Sequence, residues 1–202
     1  MSIKVLEQFL PDSTLPYIDE LLDKQGILIK ITNPRKTRHG SFRAGHKNVR
    51  PVIHISGDLN PYAFLITLIH EIAHLKTWQM HGRKAAPHGI EWKNVFSNLM
   101  YPVLQNGVFP DELRLHLIKH MQNPKASSSS DTVLSRLLKE YDDNPNQLPT
   151  IEEIPMESVF EWRNGRLFQK KEKLRKRYKC IELKTKKIYL FNPLAEVKPV
   201  RT

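Results

Sequence analysis

Three residues in the segment 70–74 have the types and the spacing that a hydrolytic metal centre requires. They are His70, Glu71 and His74. Residues four apart on an α-helix share one face, with Cβ atoms roughly 5–6 Å apart, so both imidazoles can bind one zinc ion at about 2.0–2.1 Å. Glu71 is turned about 100° round the helix from His70, which places it beside the metal's open side. Zinc lowers the pKa of a bound water and the glutamate accepts its proton, so the motif predicts a zinc hydrolase.

The surroundings of the motif favour a metal over ordinary buried histidines. Residues 63–69 are almost continuously apolar, which predicts a helix that is buried on most sides. Two histidines and a glutamate in such a helix cost several kcal/mol unless they find polar partners. The alternative is that each side chain is satisfied by hydrogen bonds. A bound cation would compensate all three at once.

A catalytic zinc site needs a third protein ligand, and the residues alone leave two choices. Metzincins have a histidine six residues after the second one and a glycine between. Those positions are Met80 and Thr77 here, so that subclass is excluded. His81 is a poor candidate because the chain would have to turn back sharply. His88 and Glu91, at the start of the next predicted helix, are both suitable ligands.

Two segments give the chain a resemblance to a known family. Residues 70–74 read HEIAH, and after a spacer residues 88–92 read HGIEW. This pair resembles the SprT/Spartan-type zinc metalloproteases, whose HExxH motif is followed by a third histidine in an HGxx(W/F)-like segment. The likeness extends upstream to Gly40–Arg43, to Val52–Ile55 and to Asn60, and it covers about residues 10–125.

The resemblance implies a role for each of these residues. His70, His74 and His88 would hold one Zn²⁺, Glu71 would be the catalytic base that activates the zinc-bound water, and Glu91 would be structural or would support a ligand. It further implies a zincin-like core and cleavage of proteins that are bound or crosslinked to DNA. The expected activity is therefore that of a zinc-dependent endopeptidase. The alternative is a nucleic-acid-binding or regulatory protein with a structural zinc, which would fill the fourth coordination position.

The carboxyl-terminal part departs from the family pattern. Many SprT-type proteins carry a zinc ribbon there, built from paired cysteines, whereas this chain has the single cysteine Cys180. A four-cysteine site is therefore impossible. Residues 177–191 nevertheless have the pattern of two strands around a polar turn. The likeness suggests a ribbon that has lost its metal and kept its hairpin.

The order of predicted elements is that of an α+β protein with two parts. We expect an SprT-like metalloprotease domain at 1–142, a linker at 143–156 and a basic β-rich appendage at 157–202. Helices are predicted at 15–24, from Pro61 through the metal motif, and at 90–105, 111–122 and 131–141. Strands are predicted at 27–31, 52–55, 158–162, 166–168 and within 177–191. A hairpin is predicted at 35–43 around Gly40, and a loop at 127–130.

The charge distribution indicates a nucleic-acid partner besides the protein substrate. The net charge is +11, and residues 151–202 hold 14 basic against 7 acidic residues. Basic side chains neutralise phosphates, and aromatic rings can stack on bases. The alternatives are a merely solvated basic face and aromatics that fill a small core. The predicted nucleic-acid residues are Lys170, Lys171, Lys173, Arg175, Lys176, Arg177 and Lys179, close to Trp162, Phe168, Tyr178 and Tyr189. A second basic cluster contains Lys36, Arg38, Arg43, Lys47 and Arg50.

Composition and apolar run lengths bear on the compartment. No apolar run reaches the roughly 18–20 residues that a membrane span needs. The first residues lack the apolar core of a signal peptide, and one cysteine is consistent with a reducing compartment. The basic run lacks an amphipathic helical pattern, which argues against membrane-surface binding. We expect a cytoplasmic protein that binds one zinc ion, a protein substrate and DNA.

Overall fold

The fold is described from a computed structural model, which covers residues 3–23, 25–33, 39–126, 131–142 and 148–200. The chain divides into two compact units, residues 1–142 and residues 143–202. Helices and a small sheet form the first unit, and strands form the second. The predicted α+β class is therefore confirmed. The predicted loop at 127–130 lies outside the described residues.

The first unit alternates short helices and strands before its long helices begin. Three short 3₁₀ helices lie at Ile3–Val5, Glu7–Phe9 and Asp12–Thr14, and a fourth at Gly82–Lys84. The remaining elements are α1 (Leu15–Leu22), β1 (Leu28–Thr32), β2 (Gly40–Arg43), β3 (Val52–Ser56), α2 (Pro61–His81), α3 (Ile90–Gln105), α4 (Asp111–Met121) and α5 (Thr132–Lys139).

The sheet of the first unit has three strands in the order β1-β3-β2. Strand β1 runs parallel to β3, whereas β2 pairs with β3 in the antiparallel direction, with Gly40 opposite Ile55. The hairpin predicted at 35–43 is therefore misplaced, because Gly40 begins a strand whose partner is β3. Residues 34–38 lie outside the described part. Strand β2 forms one edge of this sheet.

Helix α2 carries the predicted metal motif and begins where the sequence predicts. The side chain of Asn60 accepts a hydrogen bond from the Ala63 N–H at 2.9 Å, and Pro61 occupies the first turn. Asn60 also donates from Nδ2 to the Leu138 carbonyl at 2.7 Å and to Asp142 Oδ1 at 2.6 Å. This buried amide therefore fixes the start of α2 to the end of α5.

The core of the first unit surrounds helix α2. Phe64, Leu65, Leu68 and Ile69 are fully buried, and they belong to one apolar cluster with side chains of the sheet and of helices α3, α4 and α5. Because α2 is enclosed in this way, its histidines and its glutamate lie in a largely apolar environment. None of the described helices is long and apolar enough to cross a membrane.

The second unit is a single antiparallel sheet. Its strands are β4 (Val159–Trp162), β5 (Arg166–Lys173), β6 (Tyr178–Glu182), β7 (Ile188–Phe191) and β8 (Lys198–Pro199), in the order β7-β6-β5-β4-β8. Its core contains Phe160, Phe168 and Cys180. Ile151 and Ile154 are buried in the same core. The predicted linker at 143–156 therefore extends too far, because its last residues belong to the second unit; residues 143–147 lie outside the described part.

Candidate metal centre

The structure brings three histidine side chains to one point. The Nε2 atoms of His70 and His74 are 3.2 Å apart, those of His74 and His88 are 2.9 Å apart, and those of His88 and His70 are 3.2 Å apart. His70 and His74 come from successive turns of α2, and His88 comes from the turn before α3. Among the described residues, these three form the one group of metal-ligating side chains with this convergence.

The size and chemistry of this triangle fit a zinc ion. Three nitrogens at about 2.0–2.1 Å from one tetrahedral zinc stand roughly 3.3 Å from one another, close to the separations found. A neutral imidazole presents either one N–H or one lone pair at Nε2. Three converging nitrogens therefore cannot all satisfy each other with hydrogen bonds, whereas a single cation accepts all three lone pairs. His70, His74 and His88 could hold such an ion.

Burial keeps the three rings in the form that binds metal. Desolvation, with help from the neighbouring His74, His88 and His120, lowers the pKa of His70 to about 3. Burial and the neighbouring His88 lower the pKa of His74 to about 4, and burial lowers the pKa of His88. The rings are therefore neutral near pH 7, and no proton has to leave His70 or His74 before a cation binds.

A strained turn places His88. Residues Ala86 to Gly89 form a turn closed by the hydrogen bond from the Gly89 N–H to the Ala86 carbonyl at 2.9 Å. Pro87 is its second residue, and His88, the third, has a φ of 58°, as in a type II turn. A non-glycine residue costs about 1–2 kcal/mol in this left-handed region. Strain of this kind often occurs at functional sites.

Trp92 lies directly beneath the three histidines. Its ring centroid is 4.6 Å from that of His70, 5.2 Å from that of His74 and 4.6 Å from that of His88. The side chain is fully buried, and its ring stacks on that of Phe96 with the centroids 4.9 Å apart. The rigid indole therefore restricts the orientation of every candidate ligand. The sequence contained Trp92 in the HGIEW segment, but no sequence pattern indicated this supporting position.

Glu71 lies on the side of α2 that faces strand β2. Its side chain is 5 % exposed. A Cβ atom added to Gly40 would lie 2.7 Å from Glu71 Oε1 and 2.7 Å from Thr67 Cγ2. Only a glycine therefore lets β2 approach the glutamate this closely. The sequence placed Gly40 in a turn and missed this contact.

The two other candidate ligands lie elsewhere. His81 is exposed at the last position of α2. Glu91 is in the first turn of α3, where a Cβ added to Gly89 would lie 3.1 Å from Glu91 Oε2. Its carboxylate therefore lies close to the amino-terminal end of its own helix, where negative charge is favourable. The residues alone left His88 and Glu91 as alternatives for the third metal ligand. This geometry favours His88.

A second polar cluster, which the sequence analysis did not single out, joins α4 to α5. Asp131 Oδ2 is 2.8 Å from His120 Nδ1, and Asp131 Oδ1 is 3.2 Å from His116 Nε2 and accepts the Leu134 N–H at 3.2 Å. Burial alone would raise the pKa of Asp131, but these hydrogen bonds lower it to about 2. His116 and His120 have the same i, i+4 spacing as the metal motif, and that repeated spacing was the available signal.

The basic residues predicted to bind nucleic acid divide into two kinds. Lys173, Arg175, Lys176 and Arg177 are exposed around the turn between β5 and β6, and we call these four the basic tip. Lys171 pairs with Glu157, and Lys179 lies 3.6 Å from Glu172. The basic tip is therefore the part of the run that is best placed to meet a polyanion.

Lys170 is the exception, and its assignment to a nucleic-acid surface is wrong. The residue is 2 % exposed, its ammonium donates to the Ile154 carbonyl at 2.6 Å, and it lies 4.3 Å from the ring centroid of Tyr178. Burial lowers its pKa. A phosphate cannot reach this group without unfolding part of the sheet, so Lys170 holds the segment around Ile154 to β5.

The aromatic residues near the basic run fill the small core, as the alternative interpretation held. Phe168 and Tyr178 are buried, and Trp162 and Tyr189 pack against them. Stacking of these rings on bases is therefore not favoured. In the second basic cluster, Lys36 and Arg38 lie outside the described residues, whereas Arg43, Lys47 and Arg50 are exposed.

Comparisons with known proteins agree with this site. The model of the SprT-like family matches residues 23–110, which include β1 to β3, α2, α3 and all three histidines. A segment of 41 residues is 51 % identical to protein SprT of Vibrio parahaemolyticus; it covers 20 % of this chain and 24 % of that protein. No solved structure gives a significant match. Residues 23–110 are therefore similar to the SprT-like family, and the chain spans about a quarter of the length of the curated relative that it matches.

Proposed function

We propose that this protein is a zinc-dependent endopeptidase. The observation that carries the proposal is the convergence of His70, His74 and His88 within 3.2 Å of one another, next to a buried glutamate on the same helix. The match of residues 23–110 to the SprT-like family model supports a metalloprotease-like role. The arrangement of a small sheet against the motif helix further supports a zincin-like core for the first unit.

The protein residues divide the chemistry among them. His70, His74 and His88 would hold the ion, which when bound supplies a Lewis acid that acidifies a water and polarises a peptide carbonyl. The Glu71 carboxylate accepts a proton from the attacking water and then delivers it to the leaving amine nitrogen. The close contact with Gly40 keeps this carboxylate at the base of the site. Trp92 and the surrounding core exclude bulk water from the side of the histidine rings that faces the protein interior.

The Glu71→Gln substitution tests the proposed reaction. The amide has nearly the same size, but it cannot accept the proton, so the variant is expected to bind zinc and to lose cleavage of a basic DNA-binding protein. General-base catalysis typically contributes 10²- to 10⁴-fold, and we expect a loss in that range. Glu112→Gln, at an exposed position of α4, is the matched control and should cleave normally. Equal cleavage by Glu71→Gln and wild type would refute the role of Glu71.

We further propose that the substrates are proteins bound or crosslinked to DNA, and that the basic tip holds the DNA. The support is the net positive charge of residues 151–202 and the exposure of Lys173, Arg175, Lys176 and Arg177. The DNA-bound substrate would then be held at the same molecule that carries the peptidase site. A cytoplasmic location remains a prediction from the sequence.

Salt dependence of DNA binding tests the basic tip. Each phosphate contact contributes about 0.7 to the slope of log affinity against log salt for single strands. The double variant Arg175→Gln/Lys176→Gln should therefore lower the slope by about 1.4. Lys184→Gln/Lys187→Gln removes the same charge from the exposed turn before β7 and should change it less. An equal change in both variants would show a diffuse charge effect and would refute a specific role of the tip.

A further inference from the structure

Trp78 is an unusual residue on the helix that carries the metal motif. It lies one turn after His74, and with 100° per residue it is about 40° from His74 and about 20° from Glu71 round the axis. Its side chain is only half-buried, and it is outside the apolar core cluster that contains most large side chains of α2. A large aromatic group that is only partly covered, one helix turn after a candidate ligand and outside the described core, is available to contact a ligand.

Phe42 of the edge strand β2 contacts this tryptophan. The ring centroids of Phe42 and Trp78 are 6.4 Å apart and the rings are tilted by 57°, within the range of attractive aromatic pairs. Phe42 follows Gly40 by two residues, so both project from the same face of β2. Gly40 lies over Glu71 and Phe42 lies over Trp78. Strand β2 therefore runs along one face of α2, from Glu71 to Trp78.

We propose that Phe42 and Trp78 form a specificity subsite that binds an apolar side chain of the peptide substrate, close to the bond that is cleaved. This inference rests on the proposed peptidase function and names a preference of the same site. The pair lies on the same side of α2 as Glu71, about two helix turns further on, and strand β2 runs along both. A peptide extended along this side of α2 could therefore reach the glutamate and the aromatic pair. The expected ligand is a large aliphatic or aromatic side chain of an extended polypeptide.

The chemistry of the pair explains this choice of ligand. Two half-buried aromatic rings offer apolar surface, which is stabilised when an apolar side chain removes it from water. The exposed basic residue Arg43 follows Phe42 on the strand, but the contact surface of the pair itself is uncharged. One extra or missing methylene group in a hydrophobic pocket changes kcat/KM by about 10- to 200-fold. The preference should therefore be measurable even if the enzyme cleaves many sequences.

Cleavage of a peptide series tests the subsite. Zinc-loaded wild type, Trp78→Ala and the milder Phe42→Leu would be given peptides in which each position flanking the cleaved bond is in turn Ala, Leu, Phe or Asp. Met80→Ala is the matched control, because it removes a 59 % exposed apolar side chain from the same helix. Bound zinc per chain, measured for each variant, shows that the fold and the metal centre are intact.

The wild type should prefer Phe or Leu over Ala at one position, and Trp78→Ala should reduce that kcat/KM ratio about tenfold. Phe42→Leu should reduce it less, and Met80→Ala should leave it unchanged. A ratio within twofold of wild type in Trp78→Ala, or an equal reduction in Met80→Ala, would overturn the subsite and leave the peptidase proposal standing. A fully zinc-loaded wild type that cleaves no peptide and no protein would overturn the peptidase proposal, and the subsite with it.

Discussion

Replacement of Gly40 by alanine should impair catalysis without removing the metal centre. The added Cβ would lie 2.7 Å from Glu71 Oε1 and 3.0 Å from Glu71 Cγ. The contacting atoms are the flexible end of the glutamate and the Thr67 methyl group, so the side chains move more readily than strand β2. Glu71 has to retreat from 2.7 Å to an ordinary contact of at least 3.4 Å, a shift of about 0.7 Å.

The size of that shift sets the expected loss of activity. A misplacement of about 1 Å in a catalytic constellation can lower the rate by about 10²-fold. For a retreat of about 0.7 Å we expect kcat/KM to fall by roughly 10- to 100-fold. The three atoms nearest to the added methyl group belong to Glu71 and Thr67, and none of them belongs to His70, His74 or His88. The zinc content of the variant should therefore equal that of the wild type.

The matched control is Gly57→Ala. A Cβ there would lie 2.7 Å from Ile31 Cγ2, so the steric conflict is similar but lies away from Glu71. Both variants should lose some stability in urea unfolding, whereas only Gly40→Ala should lose kcat/KM per zinc-loaded molecule. Wild-type kcat/KM in Gly40→Ala would refute the idea that this contact positions the catalytic carboxylate. An equal loss in both variants would assign the effect to general destabilisation of the sheet.

Three further substitutions test the supports of the site. Trp92→Ala leaves a cavity under all three candidate ligands. We therefore expect the free energy of unfolding of the zinc-free protein, measured with urea, to fall by about 3–5 kcal/mol, and we expect zinc to bind more weakly. Unchanged zinc affinity would contradict the supporting role of Trp92. Asn60→Ala removes a helix cap and leaves the Leu138 carbonyl and Asp142 without this donor. The free energy of unfolding should fall by about 2–3 kcal/mol in the same assay. A loss below about 0.5 kcal/mol, the low end for a cap alone, would contradict the connection to α5. The pKa of Asp131 is lowered to about 2 from 3.8, so its contribution is complete above pH 4 and is lost as the pH falls towards 2. Asp131→Asn should therefore cost about 1–2 kcal/mol at pH 7, with allowance for solvent screening, and progressively less below pH 4; a pH-independent difference would contradict this origin.

Local patterns predicted the elements that carry the metal motif. Asn60 and Pro61 marked the start of α2, the i, i+4 spacing placed His70 and His74 on one face, and the apolar run indicated burial. These signals depend on residues close in sequence, and local rules describe them well. His88 needed more, because the residues alone left Glu91 as an alternative until the turn geometry was known.

The features that the sequence analysis missed depend on contacts between distant segments. The approach of Gly40 to Glu71 requires β2 to lie along α2, and nothing local specifies that path. Lys170 was misassigned because the strand was expected to end at residue 168. Once β5 extends to Lys173, the alternation of side chains places Lys170 on the same face as the buried Phe168. A longer predicted strand would therefore have indicated its burial.

The most direct test of this account is the zinc content of protein purified without chelators, measured by elemental analysis for the wild type and for His88→Ala. We predict one zinc ion per wild-type chain. His88→Ala should lose most of it under the same dialysis, because two histidines remain of a three-ligand site. Wild-type protein without stoichiometric zinc, or His88→Ala that retains the full amount, would contradict the metal centre of His70, His74 and His88.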